Sequence, residues 1–453
     1  MMKKWFAVVM VLVFLLGLAA CNTAAPDVPP IDDNHIVSEP TDMVQETGAI
    51  KVAALESAYG AEVWREIAAA FTAETGIAVE LTIDKKIEDV IRPGINAGDF
   101  PDVVHLATGR EAGMTETFIK DKGLESLNDI LSMIVPGESV TVRDKILPGF
   151  LDSNLTMPYG DGDTYMMPMF YTNMGLFYNA DLFAEKHWEV PMTWDDMWTL
   201  AEAAAEEGIA LFAYPTPGYY DSLVFSLLHV IGGPEYFQSA MRYEEEAWTG
   251  ANAEMLYGII AKLCANTERT VPANGNNDNF LKNQQLILAN AALFMPNGDW
   301  VLGEMADAPR ADGFEWGFTA VPSLEAGGDR YAVTWLEQCW MPAAAENKEL
   351  GKQFVAYLYS DEAAAIFVRH NAVQPVASAI DALPDDRKPF YNIYNEGAKP
   401  ALGNWAATEP IEGLTTYDVW FQPINSLVSG DKTIEQYKAD IAAAAARLRD
   451  ALL

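Results

Sequence analysis

Residues 50–83 read IKVAALESAYGAEVWREIAAAFTAETGIAVELTI, and this stretch decides the fold. Ile50 to Leu55 is a short, mostly apolar run with the length of a strand. From Ala61 to Glu74 the large apolar residues Val63, Trp64, Ile67 and Phe71 recur at helical spacing and gather on one side. Gly76 stands where a left-handed C-cap ends a helix, a conformation that a residue without Cβ enters at little steric cost. Ile77 to Ile83 is β-branched and reads as a second strand. A helix over 87–97 follows, kinked or shortened by Pro93 and ended by Gly98, and then a strand over Asp102–Leu106. Strands alternating with helices predict a largely parallel, right-handed α/β sheet.

Further along, Gly160-Asp161-Gly162-Asp163 predicts a turn between short strands. Tyr165 to Asn179 is a long extended run, too polar at its centre for one buried strand, and reads as a crossing segment. Thr193 caps a helix through about Glu207, closed by Gly208. Helical stretches fill 220–293, a strand lies near Gly317–Val321, and Asn347–Leu358 is helical. The last helix runs from Thr433 to Leu453, and Thr433 with Gln436 makes a capping box.

The 453 residues are 50% hydrophobic, ample for real cores and for two or three domains. Lys and Arg number 29 against 65 Asp and Glu, a formal charge of −36. That balance excludes a nucleic-acid binder working by phosphate neutralisation, and it disfavours an anionic membrane surface as partner of the folded body. Three cysteines exclude a disulfide scaffold.

The N-terminus gives the compartment. Lys3 and Lys4 precede an almost unbroken apolar run from Trp5 to Leu18, then Ala19, Ala20 and Cys21. The apolar run, about 16 residues, is short of the roughly 20 needed to span a bilayer. Leu18-Ala19-Ala20-Cys21 resembles the lipobox of bacterial lipoproteins, which implies that residues 1–20 are removed and that the Cys21 sulfur is acylated. Residues 21–48 then form an acidic tether with Pro26, Pro29, Pro30 and Pro40 and no Lys or Arg, spanning roughly 30 Å when flexible. An exported chain of this kind is anchored by lipid at the outer face of the cytoplasmic membrane. Cys264 and Cys339 remain; nothing in their spacing demands a pair, and two buried thiols behaving as small hydrophobes is the preferred expectation.

The chemistry is sparse. None of the five histidines (His35, His105, His187, His229, His370) is three to five residues from another, so no metal site is expected. There is no P-loop and no nucleophile elbow. Hence neither a catalytic residue nor a cofactor is expected, although 65 acids leave open a carboxylate pair of the kind that hydrolyses glycans. What stands out is 12 Trp, 18 Tyr and 20 Phe, many beside turn residues: Tyr59, Tyr219 and Tyr220, Trp300, Trp335, Trp340, Trp405 and Trp420. Flat apolar faces beside small polar residues suit a sugar ring.

The ordered motifs resemble those of ABC-transporter extracellular solute-binding proteins, family 1, the group of maltose- and oligosaccharide-binding proteins. They are Phe71–Glu80, Gly98-Asp-Phe-Pro-Asp-Val-Val104, Tyr165–Asn179, Pro191-Met-Thr-Trp-Asp-Asp-Met-Trp198, Ala291–Trp300, Gly317–Pro322 and Asn347–Leu358, and together they cover nearly all of 49–453. The resemblance implies an α/β fold of the periplasmic-binding-protein type II kind: two discontinuous lobes, a hinge and a ligand cleft between them. Lobe one is expected at 49–168 plus 326–373, lobe two at 174–320 plus 374–453. It implies a monomeric receptor that captures a carbohydrate and delivers it to membrane permease subunits, with no nucleic-acid partner.

By position in that pattern, Trp300 and Trp420 are sugar-stacking candidates, and Tyr219 and Tyr220 form an aromatic loop of lobe two. Glu56, Ser57, Tyr59, Thr108 and Arg110 follow strands and are expected to face the cleft; Asn173 lies on the crossover. Trp335 and Glu337 follow the return into lobe one, with Trp335 replacing a commonly smaller residue. Arg110 either faces the cleft or pairs with Glu111 or another surface acid; Glu337 either binds ligand or satisfies the hinge. A same-fold receptor for a polyamine stays open as the rival, with a lipid-anchored glycan hydrolase behind it.

Overall fold

Short apolar strands and amphipathic helices alternate at the start of the folded body. The computed structural model describes residues 48–57, 59–110 and 112–452. The signal segment, Cys21 and the tether up to residue 47 lie outside the described residues, as does Glu111. Strand β1 (Ala49–Leu55) pairs in parallel with β2 (Ala78–Asp84) and β3 (Val103–His105). Between β1 and β2, helix Glu62–Thr75 buries Val63, Trp64, Ile67 and Phe71, the expected face. It ends at Gly76 with φ 77°, as the cap requires.

The remaining strands are β4 (Met166–Asn179), β5 (Ala210–Phe212), β6 (Ala292–Gly298), β7 (Trp316–Thr319), β8 (Tyr331–Trp340) and β9 (Lys399–Ala401). They form one nine-stranded sheet in the order β2-β1-β3-β8-β4-β6-β5, with β7 beside β4 and β9 beside β8. The expectation of a largely parallel sheet needs correction here. Only β1–β3, β5/β6 and β8/β9 are parallel; β8 runs antiparallel to both β3 and β4, and β4 antiparallel to β6 and β7. The two long strands β4 and β8 are separated by about 150 residues of helices and strands, and β8 comes back along β4 in the opposite direction.

β4 also corrects the reading of 165–179 as too polar for one buried strand. It is a single 14-residue strand, roughly 45 Å long, buried along nearly all its length. Its polar centre is tolerated because the Asn173 amide is satisfied. Its Nδ2 donates to the Phe390 carbonyl at 2.7 Å, and its Oδ1 accepts from the Tyr394 hydroxyl at 2.9 Å. Gly175 on this strand allows a close approach: a Cβ there would lie 2.8 Å from the Phe318 ring and the Thr319 carbonyl.

Helices cover the sheet. Trp194–Glu206 starts with a capping box of Thr193 and Asp196, and Ile434–Asp450 with one of Thr433 and Gln436. Cys264 and Cys339 are buried and unpaired, and burial pushes both thiols up, Cys264 to about 12. Among the described residues, no helix is long and apolar enough to cross a membrane.

Candidate functional site

A cavity of about 680 Å³ opens where the long strands meet the ends of the parallel strands. Its first wall is Ser57 and Tyr59 beyond β1, Ala107 to Gly109 beyond β3, and Glu337 on β8. Loops at the carboxyl ends of strands are where α/β sheets bind ligands. Its floor is Phe170 to Thr172 on β4, Val333 to Leu336 on β8, and the segment Asn371 to Val373. Its second wall is Gly218, Asp221 and Phe225 around the start of helix Tyr220–Met241, then Gly403 to Trp405, Thr416, Tyr417 and Phe421.

Two aromatic side chains of this lining are left open: Trp335 is 61% exposed and Tyr417 42%. Other apolar side chains are as bare, Ile134 and Met192 among them, but these two aromatic faces open into one cavity beside polar groups, the make-up of a ligand site. Trp335 is backed by Trp300, with ring centroids 6.4 Å apart, and Trp300 Nε1 donates to the Tyr219 hydroxyl at 3.1 Å. Trp405 stacks on Tyr243 at 5.4 Å with the rings 4° from parallel, and packs against Trp420 at 4.9 Å. The backbone at Gly403 has φ 133°, and a Cβ there would lie 2.5 Å from the Phe237 ring, so glycine is required to turn Trp405 into place.

Glu337 is the best-braced polar group. Its Oε2 accepts from the Tyr59 hydroxyl at 2.7 Å and lies 3.2 Å from His105 Nε2. Burial opposes its ionisation, but the His105 ring and the Tyr59 hydroxyl outweigh it and hold the carboxyl below the usual range. Thr108 is set by its backbone N–H, which donates to Gln338 Oε1 at 3.3 Å. Asp221 differs: its one hydrogen bond is from the Ser222 backbone N–H, and burial pushes its carboxyl up to about 7.

Of the twelve residues expected at the cleft, five line this cavity: Ser57, Tyr59, Thr108, Trp335 and Glu337. Trp300 and Tyr219 sit one layer behind Trp335 and brace it. The other five do not line the cavity. Trp420 is fully buried among Trp248, Tyr243 and Trp405, so it has no free face. Tyr220 is fully buried against Tyr214, because the helix beginning there turns it into the core. Asn173 spends its amide on Phe390 and Tyr394. Arg110 grips the buried Glu88 through Nε and through its other guanidinium nitrogen at 3.2 Å. Glu56 stands 3.9 Å from Lys85.

Asp221, Asn371, Asn404, Trp405 and Tyr417 line the cavity without having been expected there. Trp405 is among the loop aromatics singled out above though not among the cleft candidates, and Tyr417 carries the same signal, since Thr415-Thr416 precede it. No ligating set of three His, Cys, Asp or Glu occurs among the described residues.

An aromatic-lined cavity at strand ends is a place for a small-molecule ligand. The bacterial extracellular solute-binding protein family matches over residues 66–389, and the chain belongs to that family. It is 25% identical over 303 residues to the diacetylchitobiose binding protein NgcE of Streptomyces coelicolor, covering 64% of this chain and 61% of that one. It is 22% identical to the maltodextrin-binding protein MdxE of Bacillus subtilis, covering 86% of this chain and 84% of that one. The chain therefore spans less than two thirds of the first relative's length and more of the second's. Among solved structures, the apo form of RafE from Streptococcus pneumoniae superposes with a TM-score of 0.65 at 18% identity, over 89% of this chain and 98% of that one. Both sequence relatives are binding proteins by name.

Proposed function

We propose that this chain is the sugar-capturing receptor of an ABC importer, a binding protein and not an enzyme. Its lobes are 49–168 with 326–373, and 174–320 with 374–453; they close on a mono- or oligosaccharide and present it to permease subunits. The chain acts as a monomer, and acylated Cys21 holds it at the outer face of the cytoplasmic membrane. The observation that carries the reading is the pair of open aromatic faces, Trp335 and Tyr417, beside hydroxyl, amide and carboxylate groups in one cavity. Aromatic faces take the C–H side of a sugar ring, each adding about 0.5–1.5 kcal/mol beyond area burial. Ser57, Thr108, Asn371, Asn404 and Glu337 meet the hydroxyls. The kinship to receptors named for diacetylchitobiose and maltodextrin agrees with it.

Calorimetric titration of the purified chain with mono- and oligosaccharides, including amino sugars, tests this. Binding of at least one sugar at about micromolar Kd is expected; silence across the panel sinks the proposal. The two carboxylates in the wall favour a second reading, a polyamine receptor of the same fold, and spermidine binding where no sugar of the panel binds would select it.

A further inference from the structure

Among the described residues, every charged side chain of the cavity lining is acidic: Asp221 and Glu337 are there, and no Lys, Arg or His. The cations nearest by chemistry are already engaged, Arg110 by Glu88 and Arg387 by Asp299. Glu337 has the His105 ring, the Tyr59 hydroxyl and, further off, the Arg110 guanidinium to offset its charge. Asp221 has only its neighbour's N–H. The titratable groups around it bring no positive charge. They are the Tyr219 phenol beside it, with Glu304 behind that, Tyr417, and Glu337 and Tyr59 on the first wall. Asp418 on the adjoining turn is tied to Thr415.

We propose that Asp221 is a specificity-determining residue that makes the cavity a charge filter, admitting neutral and amine-bearing sugars and refusing sugar acids and sugar phosphates. The inference rests on the sugar-receptor reading and adds to it the class of sugar. A carboxylate or phosphate entering this space finds like charge in a partly desolvated wall, where repulsion is weakly screened. No free guanidinium or ammonium in the lining can meet it. Because Asp221 holds its proton up to about pH 7, the filter is strongest above that pH and relaxes as Asp221 protonates below it. Glu337 stays ionised throughout, so some discrimination persists in acid.

The test is calorimetry of the full chain with matched sets: galactose, galactosamine and galacturonate; glucose, glucosamine and glucuronate; and maltotriose with its terminal aldonate. Each is measured at about pH 8 and about pH 5.5, where the sugar acids remain ionised. The quantity read is the ratio of neutral to acidic affinity. At about pH 8 a ratio of about ten or more is expected, one like-charge contact at an effective dielectric near that of a protein surface. It should shrink at about pH 5.5, and Asp221→Asn should shrink it at about pH 8 while leaving it nearly unchanged at about pH 5.5, where Asp221 already holds its proton. An acid bound as tightly as its neutral partner by the unmodified chain at about pH 8 overturns the proposal, and so does a ratio at about pH 8 that Asp221→Asn leaves unchanged. The pH series on the unmodified chain decides the matter without the variant. Failure of every sugar with spermidine bound defeats the receptor reading itself, an outcome distinct from sugars binding without charge preference.

Discussion

Trp335 and Asp221 carry opposite lessons at the scale of single residues. Trp335 is mostly exposed, so its ring adds little to the core, and on the proposed reading it is free for a sugar face. Trp335→Ala is expected to weaken sugar binding about tenfold, the loss of one stacking platform, while the melting temperature stays nearly unchanged. Titration and thermal melts on the same sample check both. Asp221 binds its proton more tightly folded than unfolded, since burial lifts its carboxyl from 3.8 to about 7. The folded state then holds more protons across that window, and stability falls as pH rises through it. Asp221→Asn should therefore melt above the unmodified protein at about pH 8, the gap closing toward about pH 4; a gap constant with pH would contradict this. Position after a strand end was a partial guide: it placed Ser57, Tyr59 and Thr108 in the lining, but Glu56 and Arg110, expected on the same ground, turn to Lys85 and Glu88. Burial was not legible for Trp420 against Trp405: one lies on the short helical turn Tyr417–Phe421 and the other in a loop, and only three-dimensional packing decides which of two touching rings is buried.

Elements were more legible than residues, because capping and periodicity are local. Thr193 and Thr433 start their helices as expected, each with its side chain bonded to the third backbone N–H. Thr193→Ala should cost about 1 kcal/mol, seen as a lower denaturant midpoint. The long strand β4 was the element misjudged. Its polar centre argued against burial, and the partners that satisfy Asn173 come from residues 390 and 394, beyond the reach of any local pattern. The same strand depends on Gly175, where an added methyl would press on Phe318 and the Thr319 carbonyl. Gly175→Ala is expected to destabilise by roughly 1–3 kcal/mol. A midpoint unchanged from that of the unmodified protein would show that the β4–β7 contact is loose.

At the scale of the molecule, the α/β class was legible from the first 34 residues of the body, and membership of the family from the order of modest motifs. The sheet order was not. The β4–β8 ladder joins segments far apart in the chain, and neither strand announces its partner or its direction. The charge of −36 takes its place at this scale too. A surplus of acids of this size favours solubility and disfavours contact with anionic lipid, and it says little about the ligand. Lobe closure over a sugar should reduce the radius of gyration in X-ray scattering, and an unchanged profile at saturating sugar would argue for a rigid cleft. The most direct measurement is a crystal structure of the chain with the tightest-binding sugar of the panel. The account predicts a sugar ring within about 4 Å of the Trp335 or Tyr417 face, with a hydroxyl on Glu337. A sugar seated elsewhere, with Trp335 and Tyr417 still bare, would contradict it.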